Sequence, residues 1–161
     1  MAADFFLEID GIKGEATDAT HKEKIQLQSF SWGLSNSGNF ASNAGGGAGK
    51  AVFQDFSFVM SMNKASPELF QSCATGKHIA KAQLICRKAG GKQEEYLKAS
   101  FTDILISSYQ TGASARDDAV PMDSISFNFS KITFEYAPQK AGGGLDTPVI
   151  RGYDIKTQKK A

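Results

Sequence analysis

The sequence predicts a mainly β protein, an antiparallel β-barrel of two sheets flanked by one short α-helix, and three observations carry that prediction. Apolar side chains recur with period two along most apolar stretches, the mark of half-buried strands. The alternation breaks inside three long runs, and an extra residue that resets the phase is what a sharply bent barrel strand requires. Only one segment, about residues 66–75, has helical spacing and helical punctuation.

Phe5, Leu7 and Ile9 alternate with Phe6, Glu8 and Asp10, and Gly11 closes this first strand. A polar stretch follows from Gly14 to Lys24. Ile25 and Leu27 then begin a strand whose next inward candidates are Phe30 and Trp32, so a β-bulge is expected near Gln28-Ser29. In Ser29-Phe30-Ser31-Trp32-Gly33, large aromatics face one way and small hydroxyls the other. The chain then enters a glycine- and asparagine-rich excursion ending at Gly49-Lys50-Ala51, which predicts an extended loop over about 34–51, far longer than a hairpin needs. Val52, Phe56, Phe58, Met60 and Met62 share one phase against Asp55, Ser57 and Ser61.

The helical segment reads Ser66 as cap, Pro67 as first helical residue, Glu68 at the positive dipole end and Gly76 as the left-handed C-terminal stop. Leu69, Phe70 and Cys73 form its apolar stripe. Ala80, Ala82, Leu84 and Cys86 alternate against Lys81, Gln83 and Arg87, and Gly90-Gly91 predicts a hairpin turn. The return strand runs Leu97, Ala99, Phe101 and then shifts phase to Ile104 and Ile106. Ile125, Phe127 and Phe129 shift likewise to Ile132, Phe134 and Tyr136. A glycine-rich stretch after Pro138 leads to a last strand over 149–155, and Lys156, Lys159 and Lys160 mark a frayed basic end.

The 161 residues suit a single domain, 1–161, able to bury about two-thirds of its unfolded surface. Lys and Arg number 18 against 17 Asp and Glu, a net charge of +1 that offers no field to attract nucleic acid or an anionic membrane. No apolar run is long enough to span a bilayer, and Met1-Ala2-Ala3-Asp4-Phe5-Phe6 lacks the basic and apolar regions of a signal peptide, so a start in the cytoplasm is expected. Two cysteines are too few for a disulfide scaffold and read as reduced thiols.

Candidate chemistry is sparse. The run Gly45-Gly46-Gly47-Ala48-Gly49-Lys50 imitates a phosphate loop, but Ala44 stands at the first required glycine and Ala51 where a Mg²⁺-binding hydroxyl belongs. No cofactor is expected, and no His/Cys spacing suits a metal. The alternative reading as a small β-barrel hydrolase rests on Cys73, or a serine, acting with His78. Asp117-Asp118 reads as a solvated loop. A domain without a catalytic constellation works through its surfaces, and the hydroxyl face and long loop suit self-assembly.

An ordered set of segments resembles the Hcp (haemolysin-coregulated protein) family of bacterial type VI secretion systems. It comprises Phe6-Leu7-Glu8-Ile9, Gly14-Glu15, Thr20-His21, Ser31-Trp32-Gly33, Gly45 to Lys50, Gln54-Asp55-Phe56-Ser57-Phe58, and Ser66-Pro67 with Cys73 and Gly76-Lys77-His78. It continues with Arg87-Lys88-Ala89-Gly90-Gly91, Glu95-Tyr96-Leu97, Ser107-Ser108, Phe129 and Tyr136-Ala137-Pro138-Gln139-Lys140. The resemblance implies a barrel protomer forming a homo-hexameric ring with a wide channel, and rings stacking into a tube that a contractile sheath propels with a VgrG spike at its tip. It implies no enzyme activity, small effector proteins carried in the channel, and export from the cell by type VI secretion. Ser29 and Ser31 are then expected to face the channel. Asn39, Phe40, Asn43, Gly45, Gly46, Gly47, Gly49 and Lys50 are expected in a loop that meets a neighbouring subunit or the next ring.

Overall fold

The structure, a computed structural model, describes residues 3–38, 49–88, 92–116 and 120–161. The elements run β1 (Ala3–Ile9), β2 (Ile25–Leu27), β3 (Ser29–Ser31), β4 (Leu34–Asn36), β5 (Ala51–Phe53), β6 (Phe56–Ser61), α1 (Ala65–Thr75) and β7 (His78–Lys88). They continue with β8 (Glu95–Gly112), β9 (Met122–Asn128), β10 (Lys131–Tyr136), β11 (Val149–Asp154) and β12 (Lys159–Lys160). The expected Gly90-Gly91 turn and the Asp117-Asp118 loop lie outside the described residues.

The long strand β8 organises the fold, and every ladder is antiparallel. Its first half lies between β7 and β10, and its second half continues along β9. One path leads from β7 to β1 and β2, the other from β9 to β6 and β3. The strands β2 and β3 are one stretch of chain bent at Gln28, whose N–H donates to the Val59 carbonyl at 2.8 Å. One bent ten-stranded sheet therefore forms the barrel, completed at this corner by the covalent chain and not as a closed hydrogen-bonded cylinder.

All three expected phase breaks occur. Gln28 separates β2 from β3. Asp103 adopts a left-handed φ of 53° within β8, a conformation a short polar side chain tolerates better than most. Ser130 separates β9 from β10, donating its N–H to Thr102 O (2.9 Å) and its hydroxyl to Asp103 Oδ2 (2.9 Å). Asp103 also accepts hydrogen bonds from His78 Nε2 (2.8 Å) and Lys156 Nζ (3.2 Å). These donors, His78 foremost, hold its carboxyl down at about 2. The reset at Asp103 extends to β7, where Ile79 is buried opposite Ile104 and Ala80 is exposed, reversing the phase expected for Ala80. A further bulge, not anticipated, places Ser107 and Ser108 opposite Ser126.

Inside the barrel, Phe56, Phe101 and Phe127 form an aromatic triangle with centroids 5.0 to 5.1 Å apart. Leu7, Ile25, Phe58, Met60, Leu69, Leu84, Ile104 and Ile106 complete the fully buried set. Truncating one of these phenylalanines removes close-packed contacts on several sides, typically about 3–5 kcal/mol.

The helix starts at Ala65, two residues before the Pro67 expected as its first. Asn63 Oδ1 accepts the Ala65 N–H at 2.8 Å, so Asn63, not Ser66, supplies the side-chain acceptor, and Pro67 is third in the helix. Ser66 instead is buried and donates to Asp123 Oδ2 at 2.5 Å, fastening α1 to β9. The inward stripe is Ala65, Leu69 and Ser72; Phe70 is 59% exposed and lies edge-on to Tyr109. Gly76 ends the helix with φ 65°, and the bonds Gly76 N–H to Cys73 O and Lys77 N–H to Ser72 O make the expected left-handed stop. Val52 does not continue β6; it is exposed in β5, because the chain breaks at Gln54-Asp55. Lys159 and Lys160 pair with β11 and are not frayed.

On the outside of β1 and β7 the polar stretch from Gly14 to Lys24 straps down a second, smaller core. Phe6 and Ile85 are cross-strand partners buried beneath it. His21 stacks on Phe6 at 4.8 Å, and the Arg87 guanidinium lies 4.8 Å from the same ring. Arg87 is bidentate to Asp18 (2.9 and 2.5 Å), and Asp18 Oδ2 also accepts the N–H groups of Thr20 and His21. The Lys24 ammonium can only donate, so His21 Nδ1, 3.0 Å away, is its acceptor, and Nε2–H points to Glu95 Oε1 at 2.7 Å.

The hydrogen bonds from Arg87 hold the Asp18 carboxyl down from 3.8 to about 2. Asp18 and Asp103 both bind protons less readily folded than unfolded, so their contributions are complete above about pH 4 and are lost as pH falls toward about 2. Urea titrations across that window should show falling stability in the wild type and a shallower fall in Asp18→Asn and Asp103→Asn. An unchanged slope in both variants would show that these contacts are not the acid-labile ones.

Candidate assembly surfaces

The outward face of β3, β6, β9 and β8 is set by the same alternation that builds the core. In register across the four strands, Ser31 pairs with Ser57, Ser57 with Ser126, and Ser126 with Ser108. The adjacent row runs Ser29, Val59, Ser124 and Gln110. Neither row contains a charged residue. Between them lies a shallow groove of about 300 Å³. On the opposite face of the same strands Phe30, Phe58, Ile125 and Tyr109 form the corresponding row toward the interior.

Ser29 and Ser31 are exposed, as expected, while Phe30 turns inward, edge-on to Phe5 (5.1 Å) and stacked on Phe56 (5.9 Å). Ser126 joins the far end of the face, with its hydroxyl 2.5 Å from that of Ser108 and 3.0 Å from that of Ser107. Ser107 donates in turn to Asp55 Oδ2 at 2.5 Å. Ser57, Ser108, Ser124 and Ser126 were not among the residues expected on the face of Ser29 and Ser31. Each occupies a polar position of an alternating run, but only the strand register places them beside Ser29 and Ser31.

The second surface is a two-stranded ribbon, β4 with β5, separate from the main sheet. Its register is Leu34 with Phe53, Ser35 with Val52, and Asn36 with Ala51. The expected loop over 34–51 therefore begins and ends as ordered β structure. Its base is docked on the barrel: Trp32 packs on Phe134 at 5.6 Å, and Phe53 stacks on Tyr153 at 5.5 Å. Gln54 N–H donates to Gly33 O at 2.8 Å. Farther out, Leu34 and Val52 are both more than half exposed. A Cβ at Gly49 would stand 2.4 Å from the Gly38 nitrogen, so only glycine lets the two sides approach this closely. Lys50 is exposed beside it. Asn39, Phe40, Asn43, Gly45, Gly46 and Gly47 lie outside the described residues.

The hydrolase alternative finds no geometry to support it. His78 Nε2 is engaged by Asp103 Oδ1, and the Ser130 hydroxyl donates to the other oxygen of that carboxylate. The imidazole is thus not positioned to take the serine proton. Cys73 is half-buried against the core, and burial pushes the Cys86 thiol up to about 12, far from a reactive thiolate. Among the described residues no group of three or more His, Cys, Asp and Glu side chains could hold a metal, and no helix is long and apolar enough to cross a membrane.

Fold and surfaces together define a mainly antiparallel β protein with one short helix and a two-stranded ribbon beside its main sheet. The family model described as type VI secretion system effector, Hcp, matches residues 6–136. The protein Hcp1 of Pseudomonas aeruginosa is 42% identical, over the full length of both chains. The crystal structure of Hcp1 from Salmonella typhimurium is 34% identical and matches all of both chains with a TM-score of 0.80. A solved type six secretion system protein, 29% identical, matches 99% of this chain and 100% of its own with a TM-score of 0.92. The chain belongs to the Hcp family, and its role is that of a type VI secretion protein, not an enzyme.

Replacing Gly49 with alanine should force the two sides of the ribbon apart while leaving the barrel intact. The expected result is wild-type melting of the domain with faster limited proteolysis between residues 34 and 53. Cleavage there at the wild-type rate in Gly49→Ala would show that the close approach at Gly49 does not hold the ribbon together.

Proposed function

We propose that this chain is the tube-building component of a type VI secretion system. Six copies form a ring, rings stack into a tube, and the paired serine rows line the channel. The observation that supports this most is the uncharged hydroxyl surface spread in register over four strands. A channel carrying varied folded cargo needs small groups that hydrogen-bond adaptably and hold no cargo by strong charge pairing. Small effector proteins are its cargo, a VgrG spike caps the tube, and a contractile sheath drives it out of the cell that made it. The β4–β5 ribbon reaches a neighbouring subunit or the adjacent ring.

Negative-stain electron microscopy of the purified protein should show six-fold rings. A sample that stays monomeric at high concentration would remove the tube reading. In rings that do form, Ser31→Gln should crowd the all-serine row and weaken cargo retention by roughly tenfold, corresponding to about 1.4 kcal/mol. Retention equal to wild type would place the channel elsewhere.

A further inference from the structure

The strand β11 is built as an interior strand yet ends the sheet over most of its length. It pairs with β10 from Lys131–Asp154 to Tyr136–Val149, whereas β12 covers its other edge only at Tyr153 and Asp154. The Ala161 N–H reaches Gly152 O, and among the described residues the edge from Val149 to Arg151 has no strand against it. The two residues there are apolar on opposite faces. Val149 (54% exposed) lies with Tyr136 on the core side, and Ile150 (48% exposed) lies on the outer side beside Glu135. Apolar residues on both faces in succession are the pattern of a strand covered on both sides. Here neither face is fully covered, and an open apolar edge of this kind is a template for another strand.

The same chain carries a strand pair in the complementary situation. The β4–β5 ribbon has three residues per strand, no third strand among the described residues, and Val52 62% exposed on the face turned away from Phe53 and its anchor on Tyr153. A two-stranded ribbon is marginal in water and needs support from a third strand or an apolar surface. Its own barrel supports only its base.

We propose that the free edge of β11 receives the β4–β5 ribbon of a second copy of this chain, adding it to the main sheet by main-chain hydrogen bonds with Val52 set against Val149 and Ile150. Two different patches make this contact, so it is heterologous and propagates from copy to copy, as a ring or a stacked array requires. The inference rests on the tube reading and deepens it by naming the acceptor of the ribbon.

The test mixes two full-length proteins, Val52→Cys carrying a size tag and an untagged partner bearing Val149→Cys, Ile150→Cys or Arg151→Cys in turn, under mild oxidation with diamide. A disulfide requires Cα atoms within about 7 Å, which cross-strand neighbours satisfy and distant surfaces do not. At least one of the three mixtures should give a tagged–untagged dimer, absent when either partner is replaced by wild type. Rings that form normally without any such dimer would overturn the docking while leaving the tube reading intact; absence of rings would overturn both. As a check independent of cysteine chemistry, Ile150→Lys should leave the melting temperature within about 2 °C of wild type and lower ring yield at least tenfold. Undiminished ring yield in that variant would also overturn the docking.

Discussion

Everything distinctive about this molecule depends on the two-sided alternation of four paired strands, reset once by the bulge at Ser107-Ser108. Because successive side chains of a strand point to opposite faces, the row that places Phe30, Phe58, Ile125 and Tyr109 inward obliges Ser29 and Ser31, Ser57 and Val59, Ser124 and Ser126 to face outward. Core and hydroxyl surface are two readings of one register. A slip of a single residue on any of these strands would bury serines and expose aromatics, so the apolar core enforces the polar face more strongly than hydroxyl contacts could.

Alternation alone would produce a flat sheet, and the bends at Gln28, Asp103 and Ser130 turn it into a barrel. Two of these bends support each other: the Ser130 hydroxyl and N–H bind Asp103 and the Thr102 carbonyl across the strand pair. Asp103 also gathers His78 and Lys156, so the start of β7 and the turn after β11 are tied to the same point. The residue that sequence reading considered for catalysis, His78, thus has a structural occupation. On the far side of the sheet the strap from Gly14 to Lys24 adds a separate small core, where Asp18, Arg87 and His21 enclose Phe6.

Much of the fold was legible because its determinants are local. The three phase breaks, the helix and its Gly76 stop, and the outward direction of Ser29 and Ser31 follow from spacing along one strand or one helix. What escaped the sequence depends on partners distant along the chain. The helix boundary differs because Ser66 is recruited by Asp123 in β9, while Asn63, before the cap position, accepts the Ala65 N–H. The burial of Ile79 in place of Ala80 follows from Asp103 on the neighbouring strand. The serine rows needed the cross-strand register, which no single strand reveals. The ribbon was read as loop because its three-residue strands are too short to show a period.

In the proposed assembly the outward serines stay free and the β11 edge becomes covered, opposite roles for two parts of one protomer. The measurement that tests this most directly is a cryo-electron microscopy map of the assembled protein, in which the position of Ser31 and Ser57 relative to the symmetry axis can be read. The account predicts that both serines border the enclosed channel, with density from a neighbouring copy along Val149 to Arg151. A map with the serine rows buried between subunits or facing the outside of the assembly would contradict it.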